Sequence, residues 1–82
     1  MESYVMTVVC RSHPSALARI VAVLHARRAD ITALRYIGGP DTAEVVVHLG
    51  SGDDSRLAAQ LGRAVDVLSV QVARPVGMAV AS

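Results

Sequence analysis

Four side chains with the chemistry for nucleophilic, acid–base or metal work fall within the six residues CRSHPS: Cys10, Ser12, His13 and Ser15. Nucleophilic catalysis needs a Ser or Cys beside a base that a third group orients, and acid–base work needs a polarised pair in a pocket. Adjacency along the chain supplies neither. Cys10-x-x-His13 offers two soft metal ligands, but a second cysteine is missing and His25 and His48 stand at no ligand spacing to it. The segment reads instead as the start of a helix, with Pro14 in the first turn and Ser12 or His13 as the cap. The free N–H groups and positive dipole end of such a helix suit an anion, such as the carboxylate of an amino acid. No catalytic residue, metal ligand or cofactor is expected.

The elements that position this corner follow from periodicity. Tyr4 to Cys10 (YVMTVVC) is β-branched and apolar on both faces, as a central strand would be. Leu17, Ile20, Val21 and Leu24 recur at i, i+3, i+4 and i+7 and predict an amphipathic helix from Pro14 to Arg27 and Arg28. Those arginines lie where positive charge meets the negative end of the helix dipole. Alternation from Ile31 to Ile37, the break GGPD and the run Thr42 to Leu49 predict a hairpin. Asp53 or Asp54 would cap a second helix with Leu57, Leu61, Ala64 and Val65 buried; Asp66 would turn the chain into a last strand, Val67 to Ala73. Residues 1–74 would form one domain, and the small-residue tail 75–82 is expected to fray.

The order β-α-β-β-α-β predicts an α+β, ferredoxin-like sandwich: a four-stranded antiparallel sheet with two helices on one face. Because runs such as Val45-Val46-Val47 are apolar on both faces, the open face or an edge must be covered. A homodimer, a higher homo-oligomer or a larger protein partner would do so.

Composition narrows the function. At 82 residues and 52% hydrophobic, the chain can bury a small core, which two tyrosines and no Phe or Trp make aliphatic. A net charge of +1, with arginines scattered along the chain, leaves no footprint of a nucleic-acid or membrane surface. RNA-recognition modules share this strand order but stack bases on aromatics, and TAEVVVHL has none. A single cysteine, no apolar run of about 18 residues and no basic leader point to a cytoplasmic protein.

RSHPSALARIVAVLHARRADITAL resembles the first half of an ACT domain, in particular that of the small regulatory subunit of acetolactate synthase (acetohydroxyacid synthase). There a loop of the form N-H-P-G or N-E-S-G precedes a helix ending in arginine, followed by a strand of the form N-I-E-S-L. RAVDVLSVQV, Arg63 to Val72, is similar to the K-L-V-D-V-L-x-V segment that leads into the family's last strand. The resemblance spans residues 4 to 73 and corresponds to the short form of that subunit.

The resemblance implies a non-catalytic subunit. Its ACT domains would pair side by side, bind a branched-chain amino acid such as valine at the dimer interface, and dock on a thiamine-diphosphate-dependent catalytic subunit. The residues that would line the pocket are Ser12, His13, Pro14, Ser15, Ala16, Asp30 and Ile31. Three depart from the family pattern: Ser12 and Asp30 replace asparagines, and Ser15 replaces a glycine whose absent side chain leaves room for a ligand. Asp30 is acceptor-only; it would pair an ammonium group and repel a carboxylate. The alternatives are a stand-alone ACT-domain protein binding an amino acid or other small ligand, and a dimer whose pocket is empty.

Overall fold

Alternation along the two central strands sets the architecture. In the computed structural model, which describes residues 3–50 and 54–73, strand β1 (Tyr4–Arg11) buries Tyr4, Met6, Val8 and Cys10. Strand β3 (Thr42–Leu49) buries Ala43, Val45, Val47 and Leu49. The two pair antiparallel in the register Tyr4–Leu49 to Arg11–Thr42, so the buried sets share one face. Ala16, Ile20 and Leu24 of helix α1 (Pro14–Ala26) and Leu57 and Leu61 of helix α2 (Asp54–Gly62) close that face. The core is aliphatic apart from Tyr4, Cys10 and Met6.

Strands β2 (Ile31–Gly38) and β4 (Val67–Ala73) form the edges of an antiparallel sheet ordered β2-β3-β1-β4. This is the split βαβ order that the sequence predicts, with both helices on one face. Strand bounds match the expected ones to within a residue. Gly39 permits the hairpin between β2 and β3, since a Cβ there would lie 2.8 Å from the Thr42 carbonyl oxygen.

Helix α1 buries a stripe one step from the expected one. Ala16, Ile20 and Leu24 lie at i, i+4 and i+8 in the core, Leu17 is half-buried, and Val21 is exposed. The stripe rotates toward α2 because α2 covers that side. The helix ends in a Schellman motif: Arg28 N–H donates to His25 O and Ala29 N–H to Leu24 O, each at 3.0 Å. Arg28 takes the left-handed position at φ 55°, where glycine is usual.

Helix α2 stops at Gly62, earlier than expected. Val65 therefore lies outside it and is 62% exposed rather than buried, and Ala64 is only half-buried. Asp66 does turn the chain, in the left-handed conformation that Asp tolerates at φ 75°. The Asp53 cap and the tail from 75 onward lie outside the described residues.

The open face of the sheet is mixed rather than uniformly apolar. The registers place Thr7, Arg11, Arg35, Glu44, His48 and Gln71 there among Val5, Val9, Ile37 and Val46. Both sheet edges expose large apolar side chains: Ile31, Leu34, Tyr36 and Ile37 on β2, every residue of which is exposed, and Leu68 and Val72 on β4.

Candidate ligand-binding corner

The corner singled out in the sequence is a helix start built by its own side chains. His13 has extended backbone angles (φ −142°, ψ 134°) and serves as N-cap, its ring Nδ1 accepting from Ser15 N–H at 3.3 Å. The Ser15 hydroxyl lies 2.8 Å from the same nitrogen. Pro14 follows at the first helical position, where its missing N–H is no loss. Ala16 N–H donates to His13 O at 3.0 Å, and the Ala16 methyl is in the core beneath. His13 thus occupies donors that a bound anion would use.

Two backbone bonds anchor the corner to the rest of the sheet end. Ser12 N–H donates to Asp41 O in the β2–β3 hairpin at 3.0 Å, and Arg11 N–H donates to Asp66 O at 2.8 Å. Ser12, His13 and Pro14 are exposed, and Ser15 is half-buried. Behind them Cys10 is fully buried; burial pushes its thiol pKa up, and the charge of Asp66 adds to the shift. A protonated, enclosed thiol is a poor nucleophile. Among the described residues no group of three His, Cys, Asp or Glu stands together as a metal site.

Asp30 and Ile31 lie at the other end of the sheet. Ile31 pairs with Leu49, the last residue of β3, and Asp30 O accepts from Gly50 N–H at 2.8 Å. A Cβ at Gly50 would meet the Asp30 carboxylate at 2.5 Å, so a side chain there would turn that carboxylate aside. Thr32 bulges out of the β2–β3 ladder and returns its hydroxyl to His48 O at 3.1 Å. An eight-residue strand is about 24 Å long, so one chain does not bring Asp30 and Ile31 together with the residues from Ser12 to Ala16. Sequence reasoning passed over Asp41 and Gly50, which fix the two halves; both act through backbone, and their only sequence signal was their place in turn-forming runs.

No protein-family model matches the sequence, and no curated protein matches it. Solved structures do match by shape. The chain is similar to the ACT domain of the GTP pyrophosphokinase of Chlorobium tepidum, with a TM-score of 0.77 at 11% identity, over 87% of this chain and 96% of that one. It is similar to an uncharacterized protein of Thermotoga maritima, with a TM-score of 0.74 at 21% identity, over 89% and 95%. A formyltetrahydrofolate deformylase of Pseudomonas putida matches with a TM-score of 0.71 at 14% identity, over 87% of this chain but 28% of the enzyme. The strand order, the helix pair on one face and these likenesses together give the chain the ferredoxin-like fold of an ACT domain.

Proposed function

We propose that this chain is a non-catalytic regulatory subunit similar to the small subunit of acetolactate synthase, working in the cytoplasm as a homodimer or higher homo-oligomer. It would bind a branched-chain amino acid between two copies and dock on the thiamine-diphosphate-dependent catalytic subunit. The observation that carries the reading is the separation of the two half-sites to opposite ends of the sheet. Antiparallel pairing of two β2 edges would set the Asp30 end of one copy beside the hairpin end of the other. Ser12, held to that hairpin through Asp41, would follow.

The bare edge supports such pairing. β2 exposes Leu34, Tyr36 and Ile37 beside six ladder residues of regular register, Ala33 to Gly38, and an unprotected regular edge is a template for a further strand. The flank of α1 away from α2, with exposed Val21 and half-buried Leu17, extends the apolar surface. The joined halves have complementary chemistry: Asp30 would accept an ammonium group, while Ser12 and Ser15 hydroxyls and the α1 N-terminus would receive a carboxylate. A ligand that favours one dimer geometry would bias the catalytic subunit by its differential affinity for the two.

The His13–Ser15 contact favours a second reading, a stand-alone ACT-domain protein for another small ligand, because a carboxylate at the helix start must displace the imidazole. Thermal melting with valine, leucine or isoleucine, read beside sedimentation, tests the first. Stabilisation by one of them together with a shift to larger species is expected. Stabilisation without any change of association, or none at saturating ligand, overturns the interface site. Co-purification with a thiamine-diphosphate enzyme tests the partner.

A further inference from the structure

The α2 sequence RLAAQLGR sets Arg56, Ala59, Gln60 and Arg63 at i, i+3, i+4 and i+7, and this stripe faces Val23 and Arg27 of α1 across a cleft. With Ala64 these residues line a cavity of about 540 Å³, inside the roughly 300–1,000 Å³ range of small-molecule sites. Three guanidiniums therefore share one concavity, and none of the described residues that line it is acidic.

Among the described residues nothing neutralises these charges. Arg27 Nε donates to Gln60 Oε1 at 2.7 Å and Arg27 Nη2 donates to the same oxygen, so a neutral amide holds the guanidinium in place without neutralising it. Among the described residues neither Arg56 nor Arg63 has a hydrogen-bond or ion-pair partner. The helix dipole explains Arg27, at the C-terminus of α1, and Arg63, just past the end of α2. It does not explain Arg56, in the first turn of α2, where the dipole disfavours a cation. A negative charge placed in the cleft would favour Arg56 there.

We propose that this cleft binds the phosphate end of a small metabolite, at a site distinct from the dimer-interface corner and independent of it. Arginine's planar fork matches phosphate oxygens in pairs, and three such forks suit a group carrying two or more negative charges. Val23, Ala59 and Ala64 form an apolar floor for a small organic body. The described lining has no aromatic ring on which a nucleobase would stack, so recognition falls on the phosphate. Bound anion would also relieve repulsion among the three cations and tie α1 to α2.

Thermal melting with pyrophosphate, against sodium chloride at equal ionic strength, tests the site, with chemical-shift mapping of the Val23, Ala59 and Ala64 methyls. The wild-type chain should rise by several degrees with pyrophosphate alone, with shifts confined to those methyls. The Arg56→Gln/Arg63→Gln double variant should lose the rise while melting no lower than wild type without anion. Arg35→Gln, on the open sheet face, should keep it. Equal stabilisation by chloride, or a pyrophosphate response unchanged in the double variant, overturns the proposal. A valine response, where present, should survive the double variant, which separates failure of this site from failure of the interface corner.

Discussion

The two strands of the β2–β3 hairpin are the same length and similarly apolar, yet they have opposite fates. β3 alternates buried and exposed along its length, with Val45, Val47 and Leu49 out of contact with solvent. β2 is exposed at every position, although Ile31, Leu34, Tyr36 and Ile37 are at least as large. The difference is position in the sheet. β3 lies between two strands and under a helix, while β2 ends the sheet beyond the reach of the two helices. Hydrophobicity decides that a strand will be covered; sheet order decides whether its own chain does the covering.

The cross-strand pair Leu49–Ile31 gives the sharpest test of that contrast. Leu49→Ala should lower unfolding free energy in urea by about 2–5 kcal/mol, because it removes fully buried methyl groups and leaves a cavity. Ile31→Ala, at 38% exposure, should cost less than half as much in a dilute monomer. Equal losses would mean that β2 is buried in the same way as β3. A smaller effect, on a different quantity, is expected from Leu34→Glu. It should weaken self-association at least about tenfold, or about 1.4 kcal/mol, while leaving monomer unfolding nearly unchanged. Association untouched by that charge would move the interface off β2. The smallest expected effect comes from the turn that delivers the chain to β2. Arg28→Gly should stabilise the fold by about 1 kcal/mol by relieving a left-handed backbone. Sedimentation should not change, and a change would show that the turn itself meets a partner.

Much of the fold was legible because two periods, 2 and 3.6, switch cleanly along the chain. Pro14, the GGPD break and Asp66 punctuate them at the observed boundaries. Val65 was misplaced because Ala64 and Val65 continue the apolar spacing of α2, while Gly62 ends the helix before them. Val21 fits the stripe of α1 as well as Ala16 does, and only the position of α2 decides between them. The chemistry of the corner was legible as residue types, but not the His13 ring acting as cap. The sheet register, and with it the distance from Ser12 to Asp30, needed the fold. The arginine cleft draws on two helices far apart in sequence; its α2 half was visible as a spaced stripe, and its α1 half read simply as a helix end.

Under the proposed pairing of two β2 edges, the division of the corner between two sheet ends would have a genetic meaning. In an antiparallel pair, each of two equivalent sites would take its hydroxyl half from one copy and its carboxylate half from the other. A lesion at Ser15 and a lesion at Asp30, each abolishing both sites in a pure population, would complement when co-expressed. Every mixed pair would then carry one site assembled wholly from intact halves and one built wholly from damaged ones.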